Sequence, residues 1–300
     1  MAVTMADELG TDLKAEAALP FSFHADFDRC VSCNACRTDC PISNATDRLH
    51  PLRLVRMLAL GLIEEVVRLP DIWYCLQCNH CSLGCPMTVR PSALIRYLRR
   101  EALRRGAVNL EQVEKYEVLC ARLHRARYKI ISKCQSESDL SDYLPCWEEE
   151  PAPPTAPAET LIPATKLLTA RGPFKERLDA LAGYGIALDV CMTCNECATV
   201  CPVAYEHAVF NPVTTFRMVN YGLVDELLPS ATIWLCLQCQ SCTDACSQKV
   251  SGHLVYQALQ ELAIERGSAP GDLRERMRQF DRAIFPHFVK EVEQLFCRKI

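Results

Sequence analysis

The chain has 300 residues, 49% hydrophobic and 23% charged, with a formal net charge of -4. That composition can bury real cores, so wholesale disorder is excluded, and the acidic balance argues against a protein built to coat nucleic acid. The longest apolar stretch, Met57 to Ile63, is far short of the roughly 20 residues that a membrane helix needs.

Residues 1–27 read as an N-terminal tail. Asp7, Glu8, Asp12 and Glu16 sit where a secretory signal would be basic and then apolar, so no such signal is expected. The outlier is cysteine, with 20 in the chain. In a short secreted protein this would mean a disulfide scaffold; in a long chain without an export signal it points to metal ligation in the cytosol.

The first motif, CVSCNACRTDCP, supplies Cys30, Cys33, Cys36 and Cys40. A helix is predicted next, with Pro51 at its first position and Leu52, Val55, Leu58, Leu62 and Val66 at three- and four-residue steps. The second motif, CLQCNHCSLGCP, supplies Cys75, Cys78, Cys81 and Cys85. A second helix follows, with Leu94, Leu98 and Ala102 on one face and a stop at Gly106. More helix is predicted over 110–133. The acidic Glu148–Glu150 and PAPPTAPA at 151–158 read as a linker. A short helix over 173–181 then leads into CMTCNECATVCP, with Cys191, Cys194, Cys197 and Cys201. Asn211 before Pro212 is a good helix N-cap. CLQCQSCTDACS supplies Cys236, Cys239, Cys242 and Cys246, and helices are predicted up to Gly267 and over 271–298.

The chain is an internal duplication. Cys30 to Cys191 and Cys75 to Cys236 are both 161 positions, and residues 28–106 align with 189–267 without a gap, with 27 identities in 79 positions. Pro51/Pro212, Gly61/Gly222, Trp73/Trp234, Gln77/Gln238 and Gly106/Gly267 match outside the cysteines.

Each motif is C-x2-C-x2-C-x3-C, the spacing of bacterial [4Fe–4S] sites, in which the fourth cysteine serves the other cluster of the pair. A cube needs one thiolate per iron at four corners of a compact object. Three cysteines on one loop reach three corners, and a cysteine turned away by a following proline supplies the fourth of its neighbour. The expected sets are Cys30, Cys33, Cys36 with Cys85; Cys75, Cys78, Cys81 with Cys40; Cys191, Cys194, Cys197 with Cys246; and Cys236, Cys239, Cys242 with Cys201. Four [4Fe–4S] clusters follow. Zinc ribbons use two distant C-x2-C pairs per metal and have no need of a third cysteine at the same step. Cys246 is followed by Ser247 rather than proline, so its turn is the one in question.

Two such motifs flanking a helix with Pro51 and Gly61, then Ile72-Trp73-Tyr74-Cys75, resemble the C-type subunits of heterodisulfide reductases and related α-helical ferredoxin domains. The resemblance covers about 160 residues in all and implies an all-α protein, here a tandem duplicated α-helical ferredoxin. The expected layout is a tail at 1–27, a first dicluster module with trailing helix at 28–145, a linker at 146–165, and a second module with trailing helix at 166–300. The resemblance further implies a cytoplasmic electron-transfer component. It would relay single electrons between a flavin- or quinone-linked partner and a catalytic partner resembling the B-type subunits of heterodisulfide reductases. Peripheral association with a membrane complex is compatible with this; a nucleic-acid partner is not expected. The alternatives are an iron–sulfur redox sensor and a zinc-stabilised scaffold.

No Cys-Cys pair, G-x-G-x-x-G or P-loop is present, so no substrate chemistry of the chain's own and no catalytic residue is expected. The repeats differ in charge. Residues 28–106 carry 12 basic and 7 acidic side chains (+5), and residues 189–267 carry 3 and 8 (-5). The plain reading is two solvated surfaces. The sharper one is two docking faces, with Arg96, Arg99, Arg100, Arg104 and Arg105 on the basic one. Cys120, Cys134, Cys146 and Cys297 lie outside the motifs and read as ordinary thiols. His80 reads as a loop residue, and Trp73 and Trp234 as packing that keeps water off a cluster.

Overall fold

The computed structural model describes residues 29–136, 147, 174, 180, 186–205 and 209–297. The predicted linker, the short helix over 173–181 and Cys146 lie outside the described residues, apart from Trp147, Phe174 and Ala180. Every regular element among the described residues is a helix, as expected of an all-α chain. Six have nine residues or more: α1 (Pro51–Ala59), α2 (Pro91–Arg104), α3 (Leu110–Ser136), α4 (Pro212–Asn220), α5 (Gly252–Glu265) and α6 (Leu273–Phe296). Single-turn helices join them.

The helix starts follow local chemistry. Pro51, Pro91 and Pro212 occupy first-turn positions, where the missing N–H costs nothing. Asn211 caps α4 by accepting from Val213 N–H at 3.0 Å and Thr214 N–H at 3.4 Å. The stops are equally local. The helix expected to run from Pro51 through Val66 ends at Ala59, because Gly61 at φ 78° turns the chain and Leu62 N–H donates back to Met57 C=O at 3.0 Å. Gly222 does the same at φ 75°, and Leu223 N–H returns to Met218 C=O at 2.9 Å. Ile63–Val66 is a separate turn of helix, so the apolar period holds across a break in the helix itself.

The chain divides into two compact units: residues up to Tyr116 together with 285–297, and residues 117–284. The first unit therefore contains the end of α6, which follows the second repeat in sequence. There Trp73 stacks on Phe296 with ring centres 4.2 Å apart, and Tyr116 meets both rings edge-on. Glu293 accepts from the Tyr74 hydroxyl at 3.0 Å and pairs with Arg48. In the second unit Arg127 of α3 is buried and donates to both Asp281 oxygens, at 2.9 and 3.3 Å. Tyr256 stacks against Phe210 and gives its hydroxyl hydrogen to Thr215 at 3.0 Å. Cys120 and Cys134 are buried on α3, whereas Cys297 is exposed just past α6.

Candidate iron–sulfur centres

Each cysteine motif is a loop wound by the same backbone trick. The residue before the second cysteine and the residue after it both take left-handed φ: Ser32 and Asn34, Gln77 and Asn79, Thr193 and Asn195, Gln238 and Gln240. None is glycine. Asparagine tolerates this region, but Thr193 is β-branched and strained there. Left-handed residues on either side of a cysteine curl the loop tightly around it. A single turn of helix then carries the third cysteine, and the fourth leaves on the far side.

Three of the fourth cysteines, Cys40, Cys85 and Cys201, meet the neighbouring loop. Cys40, Cys75, Cys78 and Cys81 are all buried and line one small pocket together with Ile42, Leu49, Leu76 and Ile95. Burial, then the facing Cys75, Cys78 and Cys40 sulfurs, push the Cys81 thiol well up. Cys40 is raised to about 11 by burial, against which the Ser43 hydrogen bonds work. Cys36 is raised to about 11 by burial and by Cys30, Cys85 and Cys33, so Cys85 stands beside the first loop. In the second unit Cys242 is raised to about 12 by burial, Cys239 and Cys201, and Cys201 to about 11 by burial with Cys239 adding. Cys197 is raised to about 11 by burial, Cys191 and Cys194.

Ser247 does not undo the fourth turn. Thr88 N–H donates to Cys85 C=O at 3.1 Å, Lys249 N–H donates to Cys246 C=O at 3.1 Å, and both donors take left-handed φ. The turn is held by that hydrogen bond, not by the proline ring. His80 opens the single-turn helix His80–Leu83.

A group of iron and sulfide fits these residues. Thiols crowded and raised in this way need positive charge to become thiolates, which irons supply. Donors for cluster sulfur are also in place. Gln77 Nε2 and its own N–H both lie 3.4 Å from Cys75 Sγ. The equivalent Gln238 Nε2 is buried with no partner in the protein. Among the described residues no three His, Cys, Asp or Glu side chains converge on a single ion, and every cysteine is a free thiol. Cys40, Cys75, Cys78 and Cys81 instead line a shared pocket.

The model of the 4Fe-4S dicluster domain matches residues 26–89 and again 187–250, spans that hold all sixteen motif cysteines. The chain thus carries the 4Fe-4S dicluster domain twice. Two domains with two clusters each make four [4Fe–4S] clusters. The chain is similar to a protein of Archaeoglobus profundus that is itself like the C-type subunits of heterodisulfide reductases, 28% identical over 122 residues, 41% of this chain and 64% of that one. It is 34% identical over 79 residues to the C-type subunit of the ferredoxin:CoB-CoM heterodisulfide reductase of Methanosarcina acetivorans, 26% of this chain and 31% of that one. It is 32% identical over 77 residues to the C-type subunit of the H(2):CoB-CoM heterodisulfide,ferredoxin reductase of Methanothermobacter marburgensis, 26% of this chain and 40% of that one. The matches thus span less than two thirds of each of these relatives. No solved structure matches significantly.

Most arginines of the basic face predicted on α2 have partners within the chain, while Arg100 stays exposed over the Tyr97 ring at 5.4 Å. Arg105 pairs with Glu64 and Glu101, Arg104 with Glu101, and Arg96 donates to Gln77. Arg99 turns inward to the carbonyls before the second motif. Sequence reasoning missed this because a helical run of arginines looks like a solvated face. Gln77 and Gln238 were visible as repeat matches, but spacing alone assigns an amide no task. No described helix is long and apolar enough to cross a membrane.

Proposed function

We propose that the chain is an electron-relay component of a heterodisulfide reductase-like complex, passing single electrons between a flavin- or quinone-linked partner and a catalytic partner. The ligand sets proposed are Cys30, Cys33, Cys36 and Cys85; Cys75, Cys78, Cys81 and Cys40; Cys191, Cys194, Cys197 and Cys246; Cys236, Cys239, Cys242 and Cys201. The observation that carries the reading is Cys40, 35 residues before Cys75 in sequence, lining one apolar cavity with Cys75, Cys78 and Cys81.

Bound clusters supply one-electron redox chemistry over a wide range of potentials. The protein's part is to hold the cysteines, exclude water and set charge. Buried walls around Cys75, Cys78 and Cys81 keep solvent out, while the exposed Cys33 and Cys194 bring one cluster of each unit near the surface. Such a pairing of buried and accessible centres suits passage of electrons through each unit. The similarity to the C-type subunits of heterodisulfide reductases supports the choice of complex.

Anaerobically prepared protein should hold about 16 iron and 16 sulfide per chain. C40S and C78S should abolish the same reducible paramagnetic signal, and C85S and C33S a different one. If C40S removes the signal that C33S removes, each motif ligates its own cluster and the crossed sets are wrong. Zinc without sulfide would refute the relay itself. Purification from the native host should recover a catalytic partner with the chain; recovery of a promoter fragment instead would favour the sensor.

A further inference from the structure

Helices α2 and α5 occupy equivalent places in the repeat, each after the second motif of its unit, and they differ in charge where they meet that motif. On α2, Arg99 donates to Ile72 C=O at 2.8 Å, to Trp73 C=O at 3.3 Å and to Cys75 C=O. Its guanidinium also lies over the Trp73 and Tyr116 rings, at 5.4 and 4.9 Å. One turn earlier, Arg96 donates to Gln77 Oε1 at 3.1 Å, and Gln77 Nε2 reaches Cys75 Sγ at 3.4 Å.

On α5 the same positions are Gln260 and Gln257. Gln260 Nε2 donates to Ile233 C=O at 2.9 Å, the counterpart of Ile72, so the hydrogen bond is kept and the charge is not. Gln257 turns to Glu261 at 3.0 Å. A cation does stand behind Gln260: Arg274 meets its Oε1 at 3.3 Å, one amide farther from the motif.

We propose that Arg99 is the potential-setting residue of the cluster held by Cys75, Cys78, Cys81 and Cys40. With Gln260 as its uncharged counterpart, it splits the potentials of two clusters that the duplication made equivalent. Reduction brings one electron and one negative charge to the cluster, with no bond made or broken. A fixed cation in the surrounding wall favours that reduced state, and the more so where water is excluded. Arg99 is suited to this because its guanidinium cannot lose its proton and its carbonyl partners hold it in place. The inference rests on the ligand sets proposed above.

The test is a dye-mediated dithionite titration of the whole cluster-loaded chain, followed by low-temperature paramagnetic resonance. Iron and sulfide are counted first, so that a missing cluster, which would fail the function, is told apart from an unmoved potential. R99Q should move one reduction wave to lower potential by at least a tenfold change in the reduced-to-oxidised ratio, 59 mV for a one-electron couple. R99K, which keeps the charge but not the fork of donors, should hold most of the wild-type value. Q260R should move a different wave upward. An R99Q protein with full iron and no shifted wave overturns the proposal. So does R99K shifting as far as R99Q, which would make the residue a cap for the carbonyls only. Q260R provides the same reading if R99Q does not load, and its wave staying in place overturns the proposal there.

Discussion

His124 lies on α3 with 5% of its surface exposed. Burial pulls its pKa down to about 3; Arg127 pushes the same way, and a backbone hydrogen bond at Pro202 opposes. An unfolded histidine titrates near 6.5. Between those values the unfolded state binds the extra proton, so stability falls as pH drops below about 6.5, by up to about 1.4 kcal/mol per pH unit. H124Q should flatten that slope in denaturant unfolding of the loaded protein between about pH 5 and 7.5. An unchanged slope would place the acid sensitivity elsewhere. The sixteen motif cysteines were legible residue by residue, because their spacing is a property of the chain alone. Arg99 and His124 were not: whether a helical arginine or histidine faces water or a carbonyl depends on what packs over it.

At the level of elements, the two repeats solve one packing problem in two ways. Gly252 opens α5 where the first repeat has Pro91, and Phe216 on α4 stands where it has Val55. A Cβ on Gly252 would come within 2.6 Å of Phe216 Cζ and 2.9 Å of Cys242 Sγ. The ring in one wall fills the room that a side chain would take in the other. G252A should therefore cost about 1–3 kcal/mol by overpacking and disturb the paramagnetic signal of the Cys242 cluster. The double variant G252A/F216V should recover most of that loss. If the double variant is no more stable than G252A, the ring is not what occupies the space. Helix starts and stops were readable from Pro51, Pro212, Asn211, Gly106 and Gly267 because capping is local chemistry. The break at Gly61 was missed because an apolar period of three and four continues across a turn when both sides pack on the same core.

For the molecule as a whole, clusters and fold should stand or fall together. On the proposed ligand sets, raised thiols such as Cys36, Cys40, Cys197 and Cys201 must lose their protons to bind iron, so loading should release protons and strengthen as pH rises. Binding to the folded state alone also stabilises it. Anaerobic chelation should lower the thermal midpoint and the helical circular dichroism of the chain, and reconstitution with iron and sulfide should restore both. A midpoint that chelation leaves unmoved would mean that the helices stand without the clusters. The opposite formal charges of the repeats remain a property of the whole chain, and on α2 Arg104 and Arg105 are paired with Glu64 and Glu101.

The amino-acid sequence by itself determined the duplication, the four cysteine motifs and the helical class, since each is written in spacings of at most a few turns or in a repeat at constant offset. Only the tertiary structure decided three other things. It brought Cys40 into a cavity with Cys75, Cys78 and Cys81. It put Glu293 and Phe296 from the end of α6 against Tyr74 and Trp73. It also turned Arg99 from the solvent to three carbonyls. These are meetings of groups distant along the chain, selected by which apolar faces bury together, and no local pattern encodes them.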